Sequence, residues 1–162
     1  MTNAIDKLKT DHRKVEELFA SFEKARKADR KKALFEQIAD ALAVHAAIEE
    51  QHFYPAAKAK DTEDLLLEAA EEHLSVKRLI ADLLALGPED DTFDAKVKVL
   101  KEQVEHHVEE EEGDLFPKAK KLLDAEELKA LEERMLATEA ELLEAGNPRK
   151  EVPNETEVAA TI

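Results

Sequence analysis

The sequence repeats one pattern of potential metal ligands. His45 stands four residues before Glu49, and His107 stands four residues before Glu111. Both pairs precede an aromatic residue and a proline in the same register. Residues four apart on a helix lie on one face with Cβ atoms roughly 5 to 6 Å apart, so each imidazole and carboxylate could share a cation. The chain has no cysteine, which excludes thiolate ligands and leaves nitrogen and oxygen donors.

A further histidine precedes each copy of the pattern at nearly the same distance. His12 lies 33 residues before His45, and His73 lies 34 residues before His107. With the two glutamates this makes six donors, which is too many for one tetrahedral zinc ion. The repeat therefore predicts two cations, one held by the two histidines of each half, with the glutamates bridging the pair. Mixed imidazole and carboxylate ligation of this kind is well matched to iron.

The alternative is that these residues only pack or form hydrogen bonds. That interpretation suits any one core histidine taken alone. It suits the set poorly, because a buried carboxylate is costly unless it is paired or binds a cation, and no Lys or Arg recurs in the same stripes. A metal-free acidic helical protein that acts through its surface is the corresponding functional alternative.

The composition predicts an all-α fold. The 162 residues include only three Gly and five Pro, and 39% are charged, in a background rich in Ala, Leu, Glu and Lys. This composition is typical of long amphipathic helices rather than strands. Apolar residues recur at spacings of three and four along four long segments and a shorter fifth.

The connections between these segments are short, which favours antiparallel neighbours. We therefore predict an up-down-up-down four-helix bundle over residues 1–123. Asp124 begins an additional C-terminal helix over residues 124–145 with the spacing of a capping box. This helix is expected to pack on the bundle or to form the seam of a homodimer, so the protein is predicted to be a monomer or a homodimer. Residues 146–162 are polar and contain two prolines, which predicts a flexible tail.

The charge and hydropathy exclude some classes of partner. A formal charge of −15 would repel a phosphate backbone, so we expect neither nucleic acid nor an anionic membrane as partner. No apolar run approaches the roughly 20 residues needed to span a bilayer, and the first residues lack an apolar export segment. A cytoplasmic location is the resulting expectation.

One residue beside the first pattern, His52, has no equivalent in the second. His52 continues the stripe of the first pattern, whereas Asp114 stands at the matching place in the second. We expect His52 to line a channel or to surround the ligands. Tyr54 and Pro55 are expected to bend the helix beyond the ligands, and a redox role for the Tyr54 phenol is left open.

At these residues the sequence resembles the hemerythrin-like domain family, also called the HHE cation-binding family. The matching motifs, in order over residues from about 2 to 123, are Asp11-His12, His45-x-x-x-Glu49, Glu72-His73 and His107-x-x-x-Glu111. The resemblance implies an antiparallel four-helix bundle around two non-haem iron ions, an oxo- or hydroxo-bridged di-iron centre. It also implies binding of dioxygen or a related small ligand such as peroxide or nitric oxide.

Two positions depart from the oxygen-carrying members of that family. Those members have another histidine one turn after the ligand of the third helix, where this chain has Lys77. The missing imidazole opens a coordination position and leaves Lys77 as a candidate proton donor, unless its amine extends to the surface. The carriers also place an aspartate five residues after the histidine of the fourth helix, where this chain has Glu112. The internal repeat favours Glu111 as the ligand, with Glu112 as the fallback.

A ferritin-like di-iron protein is a poorer match. It would need Glu-x-x-His on two helices, and only Glu49-Glu50-Gln51-His52 fits. We therefore expect a di-iron protein that binds a small ligand at an open iron position. The alternatives are a catalase-like enzyme that decomposes hydrogen peroxide and an iron-binding or sensing protein.

Overall fold

The structure, a computed structural model, describes residues 2–162 and contains helices but no strand in that range. The predicted all-α class is confirmed. The helical segments, in chain order, are α1 (Ala4–Lys24), α2 (Ala28–Ile48), a π-helical turn (Glu49–Phe53), α3 (Tyr54–Ala56), α4 (Glu63–Ala85), α5 (Phe93–Glu110), a second π-helical turn (Glu111–Leu115), α6 (Phe116–Leu122), α7 (Ala125–Ala145) and a 3-10 helix (Pro148–Glu155).

Four long rods form the bundle. The rods are α1, α2 continued through its π turn into α3, α4, and α5 continued through its π turn into α6, with α1 packed on α2 and α4 on α5. The start of α1 is fixed by Asn3, whose side chain accepts hydrogen bonds from the backbone of Ile5 and Asp6. The start of α7 is fixed by the reciprocal bonds between Asp124 and Glu127, as its capping-box spacing predicts.

Each π turn begins at one of the two repeated glutamates. The backbone N–H of Tyr54 bonds to the carbonyl of Glu49, and that of Phe116 bonds to the carbonyl of Glu111, five residues back in both cases. A proline follows each turn, and proline has no N–H to continue the ordinary helical pattern. The π turn adds one residue to the rod. As a result Tyr54, rather than Phe53, lies on the same face of the rod as His45 and Glu49.

The core consists of two apolar clusters separated by a polar layer. On α1, Leu8 belongs to the first cluster and Val15 to the second, and His12 lies between them. The first cluster also contains Phe53 and Phe116 beyond the π turns, and the second contains Phe93 at the far end of the bundle. The candidate ligands therefore lie in the interior of the bundle, between two apolar regions.

The helix α7 packs on the bundle and closes its first apolar cluster. Leu128, Leu131 and Met135 are buried there among residues of the bundle rods. Glu139 pairs with Lys7 of α1 at 2.8 Å. Of the two arrangements expected for this helix, the structure therefore contains the intramolecular one.

The C-terminal residues differ from the predicted flexible tail. The segment 148–157, called the strap below, contains a 3-10 helix packed against α2 and α4. Its one buried side chain is Val152, and Arg149 pairs with Glu36 and Asp40 of α2 at 2.9 Å each. The composition did not reveal this packing, because the strap is held by one valine and by ion pairs with distant residues. Neither feature produces a periodic pattern in the sequence. In residues 2–162 we find no helix that combines the length and apolarity of a membrane span.

The packing of α7 predicts that two neighbouring substitutions lower the free energy of unfolding by different amounts. Met135→Ala should lower the free energy of unfolding by about 2–5 kcal/mol, because Met135 is fully buried in the first cluster. Leu136→Ala should change it by less than about 0.5 kcal/mol, because Leu136 is 43% exposed. Urea titrations of both variants measure the difference. Equal effects would show that α7 does not pack on the bundle in this register.

Candidate metal centre

The structure brings the six predicted ligands into one buried layer. They come from all four rods: His12, His45, Glu49, His73, His107 and Glu111. None has more than 7% of its surface exposed, and Glu49 has none. Their assignment as ligands rests on the geometry that follows.

One group of donor atoms lies between α1, α2 and the second π turn. The Nε2 atoms of His12 and His45 are 3.2 Å apart. Glu111 Oε1 lies 3.2 Å from His12 Nε2, and Glu49 Oε1 lies 3.2 Å from His45 Nε2. One donor atom from each of these four residues lies within 4.8 Å of the other three, which is a spacing that a single cation can span.

The second group lies between α4, α5 and the same glutamates. The Nε2 atoms of His73 and His107 are 3.2 Å apart. Glu49 Oε1 lies 3.2 Å from His73 Nε2 and 4.0 Å from His107 Nε2, and Glu111 Oε1 lies 3.3 Å from His107 Nε2. Both carboxylates therefore approach imidazoles of both halves, which is the arrangement expected of bridging ligands.

Each histidine also contacts a carboxylate through its other ring nitrogen, Nδ1. The four pairs are His12 with Glu112 at 2.7 Å, His45 with Asp11 at 3.3 Å, His73 with Glu50 at 2.7 Å, and His107 with Glu72 at 2.8 Å. A carboxylate accepts a hydrogen bond, so Nδ1 carries a proton and Nε2 is the nitrogen left to bind a metal. This tautomer is the one that binds a metal through Nε2.

Sequence reasoning placed Glu112 near the ligands but missed the role of the other three outer carboxylates, although a signal was present. An acidic residue adjoins one candidate ligand in each rod: Asp11 precedes His12, Glu50 follows Glu49, Glu72 precedes His73, and Glu112 follows Glu111. The four obey the same two-fold repeat as the ligands. Asp11 and Glu72 each bind the histidine of the next rod in their own half, whereas Glu50 and Glu112 each bind a histidine of the opposite half.

Three of the four carboxylate oxygens at the centre have no hydrogen-bond partner. Both oxygens of Glu49 and Oε1 of Glu111 are buried without a donor. Unpaired buried charges of this kind cost several kcal/mol each. The donor set of four imidazole nitrogens and two carboxylates fits divalent cations such as iron, and a cation in each group would satisfy these oxygens and bind the facing Nε2 atoms.

The electrostatics of the layer favour positive charge. Burial lowers the pKa of His45, but the negative charge of Glu49 and the hydrogen bond with Asp11 outweigh it and raise the pKa to about 10. Burial likewise lowers the pKa of His107, and the charge of Glu111 raises it well above its usual range. Burial raises the pKa of Glu49, but the positive charge of His45 holds it well below its usual range. The pocket is therefore arranged to stabilise cations.

Tyr54 reaches into the layer because of the π turn before it. Its hydroxyl donates a hydrogen bond to Glu111 Oε2 at 2.7 Å and lies 3.2 and 3.3 Å from the Nε2 atoms of His73 and His107. Burial and the charges of Glu111 and Glu49 raise the pKa of its phenol well above the usual range, so the hydroxyl keeps its proton. The expected bend at this position is a π turn that inserts a buried proton donor.

The other predicted neighbours lie in three different places. Glu112 contacts the outer nitrogen of His12, so the inward residue is Glu111, as the internal repeat predicts. Lys77 is buried rather than extended to the surface, and it contacts Glu50 at 3.0 Å. The prediction that His52 lines a channel or surrounds the ligands is wrong. Its side chain is half-buried, and its Nε2 lies 2.7 Å from Thr138 Oγ1 of α7. The extra residue of the π turn rotates His52 by roughly 100° from the line of the ligands.

An apolar cavity adjoins the layer on the side opposite Tyr54. Its volume is about 40 Å³, and all four histidines contribute to its wall. The remaining wall is mostly aliphatic and includes Val15, Leu42, Ile80, Val108 and Val152. A water molecule needs about 10–15 Å³ on the same measure, so the cavity admits a molecule of a few heavy atoms.

A third group of possible donors lies at the surface. Glu68, Glu72, His106 and Glu110 could also bring donor atoms together, but the group is half-exposed to exposed. His106 pairs with Glu110 at 3.0 Å and its side chain is 62% exposed. These side chains can be solvated by water, which removes the need for a cation there.

Comparison with known proteins agrees with this architecture. The sequence matches the hemerythrin HHE cation binding domain over residues 3–119. The crystal structure of a hemerythrin HHE cation binding domain-containing protein from Mycobacterium kansasii is similar, with a TM-score of 0.81 and 25% identity over 96% of this chain and 99% of that one. A protein of Nostoc sp. (strain PCC 7120) named DNA nickase is 30% identical over 125 residues. These residues are 77% of this chain but 36% of the Nostoc protein, so the chain spans about a third of that relative.

The match covers the bundle from its first cap to α6, including all six candidate ligands and their outer carboxylates. The chain therefore belongs to the hemerythrin HHE cation-binding domain family and is a metal-binding hemerythrin-like protein.

Proposed function

We propose that this chain is a non-haem di-iron protein that binds dioxygen or a related small ligand such as peroxide or nitric oxide. The observation that carries the proposal is the set of unpartnered oxygens on Glu49 and Glu111, with four imidazole Nε2 atoms directed at them. Carboxylates buried this deeply need a counter-charge, and no lysine or arginine among the described residues contacts these two.

The histidines divide between two cations by helix pair. His12 and His45 would hold one iron, and His73 and His107 the other, with the two glutamates shared. Two ferrous ions exceed the charge of two carboxylates, and such a pair supplies electrons and open coordination positions to a small ligand. The outer carboxylates fix the orientation of each ring, so the nitrogen donors are held in place before a cation arrives.

The cavity supports a ligand of few atoms and low polarity. Its volume of about 40 Å³ is large enough for a diatomic or triatomic molecule. Its wall beyond the histidines is mostly aliphatic, which favours dioxygen or nitric oxide over a strongly hydrated ion. Tyr54, on the other side of the layer, can hold a proton close to the second pair of histidines.

A second candidate function is the decomposition of hydrogen peroxide to water and dioxygen. The observation that favours it is the Tyr54 hydroxyl, because breaking a peroxide requires proton transfer and this donor lies within 3.3 Å of two candidate ligand atoms. The catalase-like reaction therefore remains the alternative to reversible ligand binding. An iron-storing or iron-sensing role would use the same ligands without either step.

For the location, oligomeric state and partners of the protein, we keep the predictions made from the sequence. We propose a cytoplasmic protein, monomeric or homodimeric, with no nucleic-acid or membrane partner. We do not extend the DNA nicking named for the Nostoc relative to this chain, because its formal charge of −15 opposes contact with a phosphate backbone. The proposal rests on the inner ligands and the cavity.

Iron content tests the proposal directly. The purified protein, reconstituted with ferrous iron without oxygen, should hold two irons per chain. His45→Ala should remove at least one of them, because it deletes a donor of the first group. His106→Ala should leave the content unchanged, since that imidazole belongs to the surface group. Elemental analysis with protein quantification gives both values. Fewer than two irons in the unaltered protein, or a loss caused by His106→Ala alone, would contradict the proposal.

A change at Tyr54 separates the two candidate functions. If the protein decomposes peroxide, Tyr54→Phe should slow oxygen evolution about 100-fold, because the substitution removes a positioned proton donor and little else. Its iron content should stay at the level of the unaltered protein. An oxygen electrode measures the rate. Absence of oxygen evolution from the unaltered iron-loaded protein would reject the enzyme and leave ligand binding.

A further inference from the structure

One wall of the cavity comes from outside the bundle. Among the described residues of the strap, Val152 alone lines the cavity, and it is 1% exposed. The strap lies against α2 and α4, which carry His45 and His73. Without the strap, the cavity beside both histidines would open to solvent between these two helices.

We propose that the strap is the outer wall of the ligand pocket and that Val152 determines which ligands enter it by size. The proposal rests on the di-iron function proposed above and adds a specificity-determining residue outside the HHE domain match, which ends at residue 119. The ligand class is a molecule of two or three heavy atoms that can lie beside the valine methyl groups. Larger molecules that react equally well at iron are excluded by the valine.

Two anchors hold Val152 in place, one on each side. Before it, the Arg149 guanidinium pairs with Glu36 and Asp40 at 2.9 Å, and its backbone N–H donates to Asp40 Oδ1 at 3.0 Å. After it, Glu155 pairs with Lys77 of α4 at 3.1 Å. The anchors are three residues before and three residues after the valine, so the side chain between them cannot leave the cavity unless an anchor breaks.

A second contact strengthens the later anchor. The Arg78 side chain donates hydrogen bonds to the backbone carbonyls of Thr156 and Glu157 at 2.9 and 3.2 Å. Backbone carbonyls are acceptors whatever side chains the strap carries, so this contact fixes its path. Lys77 also contacts Glu50, which holds the outer nitrogen of His73. The wall of the pocket is therefore joined to the support of one candidate ligand.

The valine is suited to size selection because it is aliphatic, buried and lines the same cavity as the four imidazoles. Val152→Ala removes two methyl groups and enlarges the pocket at its wall. Val152→Phe adds bulk where the cavity is about 40 Å³, and so fills it. Neither substitution touches a candidate ligand or an outer carboxylate, so iron content should not change.

The test compares two peroxides of different size as oxidants of the full-length, iron-loaded ferrous protein. Hydrogen peroxide and tert-butyl hydroperoxide carry the same reactive bond, and stopped-flow absorption gives the rate of oxidation by each. Val152→Ala should raise the rate with tert-butyl hydroperoxide by about tenfold relative to hydrogen peroxide, a change typical of one or two methyl groups in an apolar pocket. Val152→Phe should slow both reactions.

Val158→Ala is the matched control, because Val158 follows the strap and is 77% exposed. It should leave both rates unchanged. If Val152→Ala holds two irons and reacts with hydrogen peroxide normally but shows the original ratio, the assignment of Val152 is overturned while the di-iron function stands. If the unaltered protein fails to take up iron, both proposals fall together, and the iron analysis identifies that case before any rate is measured.

Discussion

The structure depends on the burial of two carboxylates at the centre of an apolar bundle. Glu49 and Glu111 lie between two hydrophobic clusters, and three of their four oxygens have no hydrogen-bond partner. Taking such groups out of water costs several kcal/mol each unless a counter-charge compensates. The four imidazoles around them supply that compensation only together with a cation or protons. The polar layer is therefore a site that requires positive charge, and the metal-binding character of the family follows from this requirement.

The surroundings of the layer explain how the rings stay oriented. Each of the four candidate histidine ligands contacts a carboxylate through its outer nitrogen, Nδ1. Three of these carboxylates also contact a lysine or arginine: Lys7 at Asp11, Arg13 at Glu112 and Lys77 at Glu50. The two halves match in their inner donors and differ outside them. Arg13 is half-exposed, whereas Lys77 is buried and also binds the strap. Any chemical difference between the two cations is expected to originate on the Lys77 side, where Tyr54 also lies.

Much of this arrangement could be predicted from the sequence, because in a regular helix the spacing between residues determines which face each side chain occupies. The phase of His12 and His73 in their stripes was sufficient to direct them inward. The failures have local causes. A π turn adds a residue that hydropathy cannot reveal, so His52 was predicted to point at the layer and instead contacts α7. The strap was not predicted, because Val152 is one apolar residue among polar ones. The strap is held by Arg149, whose partner Asp40 in α2 lies more than a hundred residues away in the sequence.

The central claim is that the layer holds two cations, one per helix pair, bridged by the glutamates. Anomalous scattering on either side of the iron absorption edge, measured on crystals grown anaerobically with ferrous iron, tests it most directly. The account predicts two iron peaks inside the bundle, one beside His12 and His45 and the other beside His73 and His107. A single peak, or iron bound only at the surface group around His106, would contradict it.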